Sequence, residues 1–471
     1  MIYFFKNVCY YFVEVIKMEL STALIFISFT VLCASYAWGM RGAVIGGEKG
    51  AMLPGAFIGL VFGWFSGYGI LTTAAAGLMG MTFGGTETYG ETIGFALHRG
   101  REDYNPRKGY TGLAFKGALW FSVCGAFLGI ALSRGIYSST EIFVFCLLIP
   151  VMQILGQLIF NRPCKPSENK FPKFYFSKTR REEWGGNLLM LIVLVVMAVV
   201  KVDYFTLMLV SGGFVFGAIG WLIGMKAFVL SALPLKDGKY LFGKWFEKGV
   251  IDGWKLMEFI LGAFGGFGLS LAYIFGYGYI EKYRMISVES VDERITRVSP
   301  LICFVCAIGI VAINLISFVC DKKDKKVNSY ILDFIERIFY NVIPMALVLI
   351  GEEFSAKFMT VFMLVFVCCV KCALDRFEKS KLLPIGQIMS LVVCSIVFAF
   401  CFTDYCSPFV IVLCGVVPYL VAELVWAMWE NKMRGKNVKH LMSATAFATV
   451  YPCFVVMCVM IIAASIKFFN V

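Results

Sequence analysis

Residues 70 to 94, ILTTAAAGLMGMTFGGTETYGETIG, open as an apolar run and close on glycines, threonines and two glutamates. The run carries no charge from Ile70 to Thr86, and apolar positions do not alternate with polar ones. A strand of a membrane barrel needs that alternation. A helix in lipid satisfies its own backbone and needs only about 20 mostly apolar residues. The stretch therefore reads as a membrane helix, the third of the chain, with acid at one end.

Runs of the same kind recur along all 471 residues. Hydrophobic side chains make up 59% of the chain and charged ones 16%. The mean hydropathy is +0.79, beyond what a water-soluble domain of this size carries. The expected architecture is all-α: a polytopic bundle of about 14 transmembrane spans (12 to 14). The spans centre near residues 30, 58, 78, 123, 151, 194, 216, 266, 310, 343, 363, 393, 418 and 455. The tenth is the least regular, because Asp333, Glu336 and Arg337 interrupt it and an interfacial helix would fit as well.

Basic residues give the bundle a direction. The alternate connections at 39–50, 99–116, 162–184, 226–249, 321–328, 371–381 and 430–440 hold 31 of the 43 lysines and arginines. The positive-inside rule makes these cytoplasmic and puts both termini outside. The net charge of +12 needs no nucleic acid partner, since cytoplasmic loops facing anionic lipid account for it. The expected partners are the bilayer and a small solute, and the expected location is the plasma or inner membrane, crossed many times.

Glycine divides the chain. Forty-one of 46 glycines precede residue 279, so the reading has three parts: an interfacial segment 1–19, a glycine-rich transmembrane block 20–280 that carries the site, and a second bundle 298–471. In the first block Gly55, Gly59, Gly63 and Gly67 follow the small-xxx-small spacing that lets helices approach closely in lipid. Glycine pairs also point to broken or re-entrant helices, which survive at membrane depth where they line a cavity or are buried in protein.

Ionisable residues at membrane depth cost roughly 2.5 to 3.5 kcal/mol each and need a partner or a function. Three clusters stand out. The first, WGMRGAVIGGEKGAMLPG at 38–55, offers Arg41, Gly46, Gly47 and Glu48 as an anion site, built from an arginine fork and backbone amides; a solvated hairpin is the alternative. In the second, Glu87 and Glu91 share one face if the helix is continuous, and such a pair would carry a proton or, with nearby threonine hydroxyls, a sodium ion. The alternative is a helix ending near Phe83, with the glutamates paired to Arg99 or Arg101. The third is GVIDGWKLMEFILGAFGGFG at 249–268, where Asp252, Lys255 and Glu258 lie at a span entry and Lys255 can pair with Glu258 three residues on. Trp38, Trp64, Trp221 and Trp254 sit near span ends and read as interfacial anchors.

Most of the 17 cysteines lie in apolar runs as small hydrophobes. The two CxxC pairs, Cys303/Cys306 and Cys369/Cys372, lack the polar, histidine-bearing context of a metal site. Walker, HExxH and GxSxG motifs are absent. The expected function is a secondary transporter for a small polar, anionic solute, coupled to a proton or sodium gradient and needing no other cofactor. In that scheme Arg41, Gly46, Gly47 and Glu48 bind solute, while Glu87, Glu91, Glu258, Asp252 and Lys255 couple the ion. The alternative is a membrane-embedded enzyme or flippase for a lipid-linked saccharide, using His98 and the acids near it.

Overall fold

The structure is a computed structural model. It describes residues 18–40, 51–67, 69–85, 89–98, 100, 102–177, 182–233, 238–239, 253–284, 293–322, 335, 338–350, 358–359 and 362. Among these the chain is helical and holds no strand beyond one isolated bridge, Lys165 to Lys170. In order come α1 (Leu20–Met40), α2 (Met52–Ser66), α3 (Ile70–Gly85), α4 (Gly90–Leu97), α5 (Pro106–Leu132), α6 (Ser139–Phe160), α7 (Trp184–Val200), α8 (Tyr204–Ala232), α9 (Gly253–Arg284) and α10 (Glu293–Lys322). A wide π-type turn, Ile338–Val342, then leads into α11 (Ile343–Ile350). Each of the first ten centres read from the sequence falls in one of these helices; the last four lie outside the described residues.

Five described helices are long and apolar enough to cross a membrane: Leu20–Gly39, Pro106–Leu132, Ser139–Phe160, Tyr204–Ala232 and Gly253–Ile280. Shorter apolar helices are Pro54–Ser66, Trp184–Val200 and Leu301–Ile313. Helix α6 leaves Phe143, Leu147, Val151, Leu155 and Ile159 exposed along one side, the apolar surface that lipid would cover.

Local sequence sets the helix ends. Asn105 caps α5 by accepting from the Lys108 amide, with Pro106 in the first turn where its missing N–H costs nothing. Ser138 and Glu141 form a reciprocal capping box on α6. Asp203 caps α8 through the Thr206 amide. Gly67 closes α2 in the left-handed region, at φ 64°, and turns the chain into α3.

Six helices pack in a closed circuit, α1 on α2, α2 on α3, α3 on α5, α5 on α8, α8 on α9, and α9 back on α1. Neighbours run antiparallel, and small residues carry the contacts. A methyl group added to Gly59 would lie 2.1 Å from the Thr73 carbonyl oxygen, so the α2 and α3 backbones touch along the predicted glycine stripe. The circuit encloses an aromatic core that includes Phe26, Phe62, Trp38, Trp120 and Tyr273. Helices α6 and α7 pair with each other outside it, α7 against α5. Alternation places the C-terminal ends of α3, α6 and α8 and the N-terminal ends of α5, α7 and α9 at one end of the bundle.

Candidate functional site

Helix α9 starts at Gly253, which puts Glu258 about 7.5 Å along its axis at 1.5 Å per residue. Glu258 is 1% exposed. Lys255 Nζ donates to its Oε2 at 2.5 Å, one helical turn away on the same face. Trp254 Nε1 and Tyr89 OH both donate to Oε1, each at 3.0 Å. A buried ion pair is held by its Coulomb attraction only where further hydrogen bonds satisfy the remaining lone pairs, and the indole and phenol do that here.

Tryptophans wall this cluster. The Tyr89 ring lies 5.8 Å from Trp120, 5.2 Å from Trp221 and 5.7 Å from Trp254, centroid to centroid. Trp120 and Trp221 are 5.9 Å apart, and Trp38 stacks flat on Trp120 at 5.2 Å. Trp38 and Trp221 are fully buried, which corrects their reading as interfacial anchors. Glycines make the room: a methyl on Gly117 would come within 2.1 Å of the Trp221 ring, and one on Gly84 within 2.8 Å of Trp120. Trp64 and Trp254 are half-buried.

The acidic stretch behaves differently from a continuous helix. Helix α3 ends at Gly85 and α4 begins at Gly90, with Tyr89 at the junction in a non-helical conformation (φ −120°, ψ −17°). The i,i+4 face expected for Glu87 and Glu91 is therefore not that of one helix; the Gly84–Gly85 pair, weak in helix propensity, is where α3 stops. Glu91 sits half-buried in the first turn of α4, where a carboxylate suits the helix dipole. Glu87, Arg41, Gly46, Gly47, Glu48 and Asp252 lie outside the described residues. Of the residues named from sequence, Lys255 and Glu258 meet. Tyr89, Trp120 and Trp221 join them, and sequence reasoning missed them as site residues. For Tyr89 the available signal was an aromatic residue set between the Gly84–Gly85 pair and Gly90.

A second buried pair flanks α4. Lys116 is 0% exposed and Glu182 2%, with Nζ 3.4 Å from Oε1. Lys116 belongs to α5 rather than to the 99–116 connection, because that helix starts at Pro106. Its ammonium also donates to Thr92 Oγ1 of α4 at 3.2 Å, and Thr92 donates to the Phe176 carbonyl at 2.8 Å. Glu182 in turn accepts from the Phe176 amide at 2.7 Å and from Trp184 Nε1 at 3.1 Å. The short helix is thus tied through Tyr89 to one lysine–glutamate pair and through Thr92 to the other.

At the opposite end of the bundle Asp203 is fully buried. It accepts from Ser133 Oγ (3.1 Å), Tyr137 OH (2.7 Å), Thr206 N (2.9 Å) and Thr206 Oγ1 (2.5 Å). Burial raises its carboxyl above the usual range despite these donors. The Tyr137 phenol is raised too, first by burial and then by the Asp203 charge. His98 is exposed at the C-terminal end of α4. Cys303 and Cys306 are buried in α10, with Cys306 Sγ donating to the Phe339 carbonyl.

Set against known proteins, the chain matches no family model, no curated protein and no solved structure.

Proposed function

We propose that the chain is an integral membrane secondary transporter, moving a small polar solute with Glu258 as the group that exchanges the coupling proton. One observation supports this most: a carboxylate 1% exposed, in a helix long enough to cross a membrane, is hydrogen-bonded to the tyrosine of a helix break. Intramembrane carboxylates of this kind mark ion and proton paths, and broken helices are where transporters place their sites. The described partners of Glu258 are a phenol, an indole and an ammonium, all donors. A sodium ion needs a shell of oxygen acceptors, so a proton fits this set better.

In the full proposal the chain crosses the plasma or inner membrane about 14 times, with both termini outside. Arg41, Gly46, Gly47 and Glu48 hold an anionic group of the solute. Glu87, Glu91 and Asp252 extend the proton path, and the second bundle, 298–471, supports the first.

Reconstituted proteoliposomes with an imposed pH gradient and a lumenal pH dye test this. Solute addition should move protons, an ionophore should abolish uptake, and Glu258→Gln should remove the coupling. Uptake indifferent to both overturns the proposal. Activity lost in His98→Ala but kept in Glu258→Gln would point instead to the enzyme or flippase.

A further inference from the structure

The box around Tyr89 is built by other helices. Trp120 comes from α5, Trp221 from α8, and Trp254 and Glu258 from α9. Three indoles surround one phenol ring at 5.2 to 5.8 Å, and a carboxylate at the far end takes its hydroxyl. Resting on the transporter reading above, we infer that this box holds a second part of the solute, apart from the anionic group assigned to Arg41, that this part is an aromatic ring bearing a hydrogen-bond donor, a phenol above all, and that Tyr89 occupies the box as a tethered substitute.

Three features carry the inference. Tyr89 lies outside the helices, at the junction of α3 and α4, whereas Trp120, Trp221 and Glu258 lie within helices of the packed circuit and Trp254 in the first turn of α9. Tyr89 can therefore leave without unwinding a helix. Next, Glu258 and Lys255 neutralise each other at 2.5 Å, so a neutral phenol enters without stranding a buried ion. A bare anion would meet the Glu258 charge, and a bare cation the Lys255 charge. Finally, Glu258 Oε1 is oriented by Trp254 Nε1 toward the phenol position. A ring of equal size lacking the donor would fill the walls and leave that buried acceptor short by one hydrogen bond, the situation in which sites discriminate most strongly.

A tethered ring competes at an effective concentration in the millimolar range or above, so it weakens the apparent affinity for any free solute. Tyr89→Phe keeps the ring and its volume but removes the hydroxyl. It creates no cavity, yet it should hold the box less well. The probes are p-cresol and 4-methylanisole, which differ in the donor alone, titrated against the full chain in nanodiscs and read by quenching of tryptophan emission. Wild-type protein should bind p-cresol at least about tenfold more tightly than 4-methylanisole. In Tyr89→Phe the affinities for both probes should rise by the same factor, about tenfold, with the preference for p-cresol kept. Equal wild-type affinity for the two probes, or no gain in Tyr89→Phe, overturns the inference. Should Tyr89→Phe not fold, the wild-type comparison of the two probes decides alone. Donor-selective binding without gradient-driven uptake would sink the transporter reading and leave the box standing. Proton-coupled uptake of solutes that p-cresol neither binds beside nor inhibits would sink the box alone.

Discussion

Replacing Lys255 by methionine isolates what the ammonium contributes to the buried cluster. Glu258 is 1% exposed and the Lys255 side chain 9%, so the variant leaves a carboxylate in a dry site with only Tyr89 and Trp254 as described donors. Removing one partner of a buried pair costs about 3–5 kcal/mol. The two remaining donors argue for the low end, about 3 kcal/mol. Glu258→Gln should cost less, about 1–2 kcal/mol, because an ammonium two residues into α9 can extend its stem to the helix end and find water. The double variant strands no charge and keeps an amide acceptor for the phenol and the indole, so it should lose only about 1 kcal/mol. The cycle then closes with a coupling of at least about 2 kcal/mol. Unfolding by SDS in lipid–detergent mixtures, followed by tryptophan emission at one pH, measures all four proteins. Losses that add within about 0.5 kcal/mol would show that the two charges do not sense each other, and the reasoning about Glu258 would fail.

Two further outcomes concern the scaffold. Asp203→Ala should lose about 2 kcal/mol at pH 7, from the cap of α8 and its hydroxyl partners. Because burial raises the folded-state carboxyl, the native chain binds the proton more readily than the unfolded one. Its contribution is full below the unfolded value of 3.8 and declines as pH rises through the folded one. Lowering the pH from 7 toward 4 should therefore stabilise the wild type relative to Asp203→Ala; an unchanged gap contradicts it. Gly59→Leu puts a side chain where the Thr73 carbonyl already lies 2.1 Å from an added methyl, and should abolish a monodisperse folded fraction on size exclusion. Gly90→Ala, whose new methyl meets nothing within 4 Å, should leave that profile intact.

Ten of the eleven described α-helices were legible because each contains an apolar run, the pattern that a helix in lipid requires; α4, eight residues long, was not. The glycine stripe of α2 was legible for a similar reason, since spacing within one helix defines a face whatever the partner is. Lys255 and Glu258 share a helix, so three-residue spacing gave their pairing. Tyr89 and Glu258 are 169 positions apart, and nothing local to either one reports the other. The same holds for Lys116 and Glu182, which are 66 positions apart. The tryptophans misled for a specific reason. Proximity to a span end does not imply exposure: Trp221 lies well inside α8, which is 29 residues long, and Trp38, near the end of α1, is covered by Trp120 of α5.

Lys116 also bears on the sidedness proposed for the bundle. It is a buried, paired cation, and such a residue says nothing about which side of the membrane its loop occupies, because the positive-inside bias acts on charges left in the flanking connections. Setting it aside leaves 30 of 43 basic residues in the same alternate connections, so the direction of the bundle does not hang on it. What changes is the meaning of the acid in the opening stretch. The break at Tyr89 delivers a phenol to the core that holds Glu258, a neutral donor that satisfies the carboxylate without repelling it. Glu91, on the first turn of α4, meets the partial positive end of that helix. Glu91 and Tyr89 thus divide the work by polarity: carboxylate at the helix start, hydroxyl into the aromatic core.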